Sequence, residues 1–421
     1  MDRGDADSGW RRIERFEAIM DPAQPYEAAS LVNMKSWHGL HTGDAALTCR
    51  HAGEAVRLFE AAGSIPHTVN AYNGYLWGCA ETGDEAAARR AIGVLRGLTA
   101  VPNMAWGRWC ADAAEALFAL RTGDETTLAE RLARLFERDW QRRDQYGHQL
   151  GWARKWAAAL VVAAVERGIA VGNARRFARN FALDAPGPPV LDWPWPVRIT
   201  TLGRFSVEVN GEPVAFPGRA PHETLALLKA LVALGSQDVR DYLLIDALWP
   251  DADGDQARDA FRVTLHRLRK LLGQSDAVVV ADGCLSLDAR ICWVDTLAFD
   301  TALQAQDHAG LVTTLYRGGF LPADRDEPWT LFTRERLKQR FARYVGDRGD
   351  RLERAGLIDE ATALYSSAID ADAQQELFYL GLVRCHRAAG RDAQARAVLE
   401  QLHRTQTAAG QRLSAKARET T

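Results

Sequence analysis

Nothing in these 421 residues announces a membrane, a metal or a catalytic centre. Long hydrophobic runs are missing. The longest, Trp156 to Val165, is half a membrane span and lies between Lys155 and Glu166, so a buried helix is the simplest expectation. The opening, MDRGDADSGWRRIERFEAIM, is charged and has no apolar signal core. A cytoplasmic protein without a membrane partner is therefore expected. Neither charge dominates: 52 Lys and Arg oppose 55 Asp and Glu, a formal net charge of -3. That excludes a globally basic nucleic-acid binder and leaves any such signal to be local. Cysteines are few, at 49, 79, 110, 284, 292 and 385, with no pair at the close spacing of metal or redox motifs. Reduced, mostly buried thiols are expected. There is no GxxxxGK[ST] loop to cradle phosphate, and no nucleophile, base and acid form a set. No cofactor and no catalysis are expected. His38 and His41 could share a helix face as metal ligands, but no third ligand accompanies them, so a local structural role is expected.

What is present is a soluble globular composition, 47% apolar and 25% charged, long enough for two or three domains. The first part carries a repeat. Thr42-Gly43-Asp44, Thr82-Gly83-Asp84 and Thr122-Gly123-Asp124 recur every 40 residues. Glycine supplies the left-handed residue that ends one helix, and aspartate can cap the next. Apolar positions follow each triplet at helical spacing: Ala55, Leu58 and Phe59; Ala88, Ile92 and Leu95; Leu128, Leu132, Leu135 and Phe136. A looser fourth unit turns at Gly168, before Ala174 and Phe177. Such a period means stacked helical hairpins, and this region resembles a tetratricopeptide-type solenoid. Its function would be to hold a peptide, protein or small effector, or to act as a spacer. Most of the rings of Trp37, Tyr72, Tyr75, Trp77, Trp106 and Trp109 are expected in the core.

Asp184 to Pro196, DAPGPPVLDWPWP, cannot continue a helix, and periodicity changes after it. Val197 to Leu202 and Phe205 to Val209 alternate as strands around the Asn210-Gly211 hairpin turn, with Val214 to Phe216 continuing the sheet. Helices follow at Glu223 to Leu234 and Arg240 to Leu248. A third, Gln256 to Leu272, lies within the stretch Asp246 to Gly273 and has two faces. Ala257, Ala260, Phe261, Thr264, Leu265, Leu268, Leu271 and Leu272 line one side. Arg258, Arg262, His266, Arg269 and Lys270 line the other, with Asp259 among them. Asp253 or Asp255 can cap its start and Gly273 can end it. Val278 to Ala281 and Cys284 to Leu287 then flank an Asp282-Gly283 hairpin. Strands, three helices and a hairpin make a winged helix-turn-helix with its own leading sheet. An arginine-bearing helix on an apolar stripe suits the DNA major groove.

This order resembles the output domains of bacterial response regulators, and more closely the antibiotic-regulatory-protein type of transcriptional activator. The resemblance rests on Ile199 to Gly203, Leu244 to Pro250, Ala257-Arg258, Val263 to Lys270 and Trp293-Val294-Asp295. It implies that the third helix enters the major groove. Arg258, Arg262, His266 and Arg269 would then face bases or nearby phosphates, and Arg267 and Lys270 the backbone. Three departures stand out: His222-Glu223 where a basic pair is usual, Asp259 where asparagine is frequent, and a wing tip without arginine. Val197 to Thr296 holds 11 Lys and Arg against 14 Asp and Glu, the reverse of most nucleic-acid binders. Carboxylates near the groove oppose phosphate neutralisation. Weak binding by this domain alone is expected, with help from dimerisation, a neighbouring protein or an effector. The alternative is an interaction scaffold or signalling adaptor whose winged helix has lost strong DNA binding.

After Asp295 the chain reads as helical. Arg354-Ala355-Gly356 and Ala388-Ala389-Gly390 are 34 residues apart, the tetratricopeptide period. Ala361 matches Ala395, and Leu364 matches Val398. Tyr316 to Pro322, Glu327-Pro328-Trp329 and the helix through Leu337, Phe341 and Leu352 resemble the bacterial transcriptional activator domain. That implies self-association, as a homodimer, or contact with RNA polymerase or another regulator. Regulators of the maltose-activator type carry related repeats behind an ATPase core; the missing phosphate loop implies action without nucleotide or apart from such a core. The expectation is a mainly α chain with a small α+β domain. Helical repeats occupy residues 1–190, a central winged helix-turn-helix residues 191–296, and a tetratricopeptide-like helical domain residues 297–421. Its function would be transcriptional regulation, as an activator, on double-stranded DNA.

Overall fold

The computed structural model of the chain describes residues 6–100, 104–137, 154–181, 183–186, 193–214, 222–304 and 309–408. The chain is mainly α with a small α+β part. It divides into two compact units, Met1–Pro194 and Trp195–Thr421. The strands and helices expected to form the winged helix, and the helices after them, lie in the second of these units.

The first unit contains α1 (Ala6–Ile19), α2 (Pro25–Thr42), α3 (Ala45–Ala61), α4 (Ile65–Thr82), α5 (Glu85–Leu98), α6 (Ala105–Thr122), α7 (Glu125–Leu135), α8 (Arg154–Glu166) and α9 (Val171–Asn180). Each triplet forms the same joint. Thr42, Thr82 and Thr122 donate their hydroxyls to the carbonyls of His38, Gly78 and Phe118, four residues back. Gly43, Gly83 and Gly123 sit at φ 81°, 77° and 74°, where a Cβ would be strained. Asp44, Asp84 and Asp124 accept from the amides of Leu47, Ala87 and Thr127 at 2.9, 3.0 and 3.0 Å. One residue ends a helix and its neighbour starts the next, so no loop is needed.

The apolar positions that follow are buried, Ala55, Ala88, Leu95, Leu128 and Leu132 completely, except Leu58, which is half-buried. Gly168, Ala174 and Phe177 form the fourth turn as expected: Gly168 is left-handed, and the other two are buried. Tyr72, Trp77, Trp106 and Trp109 are core residues, while Trp37 and Tyr75 are half-buried. His38 lies against the Trp10 ring, with centroids 4.8 Å apart, and His41 is exposed.

In the second unit, β1 (Val197–Thr200), β2 (Ser206–Val209), β3 (Glu212–Pro213) and β7 (Cys292–Val294) form a sheet in the order β3-β2-β1-β7. The β1–β7 pairing is parallel, which requires a long crossover. That crossover is the winged helix itself: α10 (His222–Ala233), β4 (Val239–Arg240), α11 (Asp241–Leu248), α12 (Gly254–Leu271), β5 (Val278–Ala281) and β6 (Cys284–Leu287). A second sheet has the order β4-β6-β5. Val214 donates to Val207 just past β3; Ala215 and Phe216, expected to extend that strand, lie outside the described residues. Leu202, expected in β1, instead makes an isolated bridge to Phe320.

Asp295 closes the sheet. It is 2% exposed and accepts from the Thr201 amide at 2.6 Å, the Thr201 hydroxyl at 2.6 Å and the Leu202 amide at 2.7 Å. Burial pushes its carboxyl above the ordinary range, against those hydrogen bonds. Two parts of the family-like pattern, Thr201-Leu202 and Trp293-Val294-Asp295, thus meet in space as a structural lock.

The remaining helices are α13 (Asp295–Gln304), α14 (Ala309–Leu315), α15 (Leu331–Arg354), α16 (Ile358–Ala371), α17 (Glu376–Ala388) and α18 (Asp392–Ala408). Side chains tie them to the winged helix. Lys229 on α10 meets Asp324 at 2.6 and 2.9 Å, and the Thr333 hydroxyl donates to the Ala233 carbonyl at 2.6 Å. Arg336 and Arg340 on α15 both hold Asp300 on α13.

Candidate nucleic-acid interface

The candidate reading helix is α12. Its N-cap is Asp253, whose carboxylate accepts from the Gly254 amide at 2.8 Å, and Gly273 follows its end at φ 62°. Ala257, Phe261, Thr264, Leu265, Leu268 and Leu272 are buried, and Ala260 and Leu271 are half-buried. The apolar stripe therefore anchors the helix as its spacing suggests, packing on α10.

Outward point Arg258, Arg262, His266, Arg267 and Lys270, all exposed. Asp255, Asp259 and Val263 share that face; Val263 is 50% exposed. Five Arg and Lys stand against two Asp in Gly254–Leu271, so the helix is locally basic within an acidic domain. The bases gather toward its C-terminal half, while Asp251, Asp253 and Asp255 crowd its start. An anion would be repelled at the N-terminus despite the favourable helix dipole there. Arg262 reaches Asp259 at 3.4 Å with both side chains open to solvent, a pairing weak enough to exchange for a phosphate or base.

Arg269 behaves differently. It is half-buried, and its Nε and one Nη donate to the Val278 carbonyl at 3.2 and 2.9 Å. The guanidinium joins the end of α12 to the first wing strand. Arg269 thus departs from the expected set of outward residues: its free face is small, and its role here is to position the wing.

The wing is an antiparallel hairpin with Ala281 opposite Cys284. Asp282 and Gly283 have φ of 51° and 72°, the conformation a two-residue hairpin turn requires. Its tip is fastened to the start of α11, where the Asp241 amide donates to Gly283 at 3.0 Å and Arg240 donates to the Asp282 carbonyl at 3.3 Å. Arg240 is exposed, so the tip that carries no arginine of its own has one beside it. Tyr242 follows, 55% exposed with Leu243 next to it. Neither Arg240 nor Tyr242 is suggested by the sequence pattern. Arg240 reaches the wing because two-residue β4 pairs with β6, a contact with too little periodicity to read.

Among the described residues no three His, Cys, Asp or Glu side chains form a group able to hold a metal, and no helix is long and apolar enough to cross a membrane.

Comparison with known proteins adds to this at the C-terminus. A tetratricopeptide repeat model matches residues 352–418, the region where Gly356 and Gly390 mark the 34-residue period; both glycines are left-handed helix ends. Among solved structures, Mycobacterium tuberculosis EmbR in complex with a low-affinity phosphopeptide is similar at 19% identity and a TM-score of 0.39. The similarity covers 53% of this chain and 64% of that one, so the chain spans less than two thirds of its neighbour. No curated protein matches the sequence.

Proposed function

We propose that the chain is a cytoplasmic DNA-binding transcriptional regulator, an activator, that reads the major groove with α12. It would act by binding, without catalysis or cofactor. The observation that carries this reading is the division of labour along α12: one face packs into the core, while Arg258, Arg262, His266, Arg267 and Lys270 stay exposed around Val263. Arg258, Arg262 and His266 are assigned to base edges or adjacent phosphates, Val263 to a thymine methyl, and Arg267 and Lys270 to the backbone. Arg240 and Tyr242 extend the phosphate contacts from the wing side. Arg269 supports the site by holding the wing. The helical regions would serve effector binding, self-association as a homodimer, or contact with RNA polymerase or another regulator.

The acidic surroundings favour one competing reading. Asp259 on the reading face and the aspartates at its start weaken phosphate binding, as a protein-interaction scaffold would tolerate.

Selection of a sequence from a random DNA pool separates the two. A reader enriches a defined site and loses affinity as salt rises. Arg262→Ala is expected to cost about 1–3 kcal/mol at the selected site and to relax its sequence preference. Arg269→Ala, by contrast, is expected to lower affinity while leaving base preference intact, as measured by competition between selected and scrambled duplexes. No enrichment even at low salt would sink DNA reading and leave the scaffold.

A further inference from the structure

Two of the six cysteines, distant in sequence, meet in the first unit. Cys49 on α3 and Cys79 on α4 bring their sulfurs to 3.9 Å. Both thiols are free. The approach is built into the helix pair: a Cβ on Gly78 would lie 2.6 Å from the Cys49 Cβ and 2.8 Å from its Cα and N. Only a residue without a side chain lets the two backbones close to this distance. Tyr75, one turn before Cys79, lies against Gly53, one turn after Cys49.

We propose that Cys49 and Cys79 are a hydroperoxide-reactive thiol pair that closes into a disulfide between α3 and α4.

The two sulfurs are not equivalent. Cys49 is half-buried and reachable from solvent, whereas Cys79 is fully buried. The hydrogen bond from the Cys79 thiol lowers Cys49 to about 7, against opposition from burial and the Asp84 carboxylate. The same bond, together with burial, raises Cys79. Cys49 is thus the nucleophile and Cys79 the thiol that resolves it.

In the first step the Cys49 thiolate attacks a peroxide oxygen. An S–O bond forms, the O–O bond breaks, and the alcohol or water leaves after taking a proton. In the second step the Cys79 sulfur attacks the Cys49 sulfenic acid. The S–S bond forms, the S–O bond breaks, and hydroxide takes the Cys79 proton to leave as water. Two electrons pass from the sulfurs to the peroxide, which is the oxidant. Closing 3.9 Å to a bond of about 2.05 Å needs side-chain rotation of the kind adjacent helices allow.

The test uses the reduced full-length protein, hydrogen peroxide as the probe, alkylation of remaining thiols and peptide mapping. Trypsin should release residues 36–50 joined to residues 58–89, two hydrogens lighter than their sum. Cys49 should be consumed at least ~10-fold faster than Cys284, the other half-buried thiol. Cys79→Ser should abolish the linked peptide and let a sulfenic acid accumulate on Cys49, trapped by dimedone. Cys49→Ser should leave Cys79 unmodified. The proposal is overturned if peroxide links other cysteines first, if Cys284 reacts as fast as Cys49, or if Cys79→Ser leaves Cys49 untrapped.

Discussion

The helices around the Thr-Gly-Asp joints and those around Tyr365 pack against one another by different means, although both belong to helical arrays. In the first unit three helix glycines face small groups on neighbouring helices. Gly78 meets Cys49, Gly39 meets Thr48, and Gly74 meets Ser36 and Ala52. Backbone approaches backbone, and the side chains between are few. Around α15, α16 and α17 the glycines instead form a slot. Gly349 and Gly381 both face the Tyr365 ring, which is completely buried.

The Tyr365 hydroxyl donates to Glu353 at 2.9 Å, and Arg384 holds the same carboxylate with Nε at 2.9 Å and Nη2 at 2.7 Å. Arg384 also reaches Asp350 at 3.2 Å. Those hydrogen bonds keep Glu353 below the usual carboxylate range although burial opposes it, and they raise Arg384. The same residue type thus admits a neighbouring backbone at Gly78 and a fully buried aromatic ring at Gly349 and Gly381. The first arrangement depends on backbone distance, the second on filling a cavity and satisfying its polar rim.

Substitutions can break each arrangement separately. Tyr365→Ala empties the slot and strips one hydrogen bond from Glu353. It should cost about 3–5 kcal/mol, seen as a lower urea midpoint and faster amide exchange confined to α15–α17. Gly78→Ala inserts a methyl against the Cys49 Cβ, Cα and N, none of which can swing aside, so α3 and α4 must separate. A loss of about 1–3 kcal/mol is expected, with faster exchange in α3 and α4 and none in α15–α17. Asp44→Ala removes one cap from a joint that keeps its threonine and glycine; about 1 kcal/mol is expected, measured in the same melts. If the two arrays responded alike to Tyr365→Ala, the packing distinction would fail.

The joints were legible because three residues carry all of their chemistry, and each acts within four positions of itself. The strands and helices of the winged helix were legible for the same reason. Val278 to Ala281 and Cys284 to Leu287 form the hairpin with the bounds their alternation suggests. α12 begins at Gly254 rather than Gln256 because Asp253, not Asp255, caps it.

What stayed hidden depends on distant partners. Arg269 sits at the right spacing for an outward residue, but the strand returning beside it offers the Val278 carbonyl. Cys49 and Cys79 look unrelated at 30 residues apart because spacing motifs assume one loop or one helix, not two facing helices. The Lys229–Asp324 tie stayed hidden for a similar reason: the two residues are 95 apart, and neither residue type alone suggests a half-buried ion pair.

That tie has a mechanical consequence. Lys229 and the Ala233 carbonyl belong to α10, the platform on which α12 rests. Asp324 and Thr333 grip it at the entrance to α15. A displacement of α15 is therefore felt first at α10, through one ion pair and one hydrogen bond, and α10 in turn supports the helix that carries Arg258, Arg262 and His266.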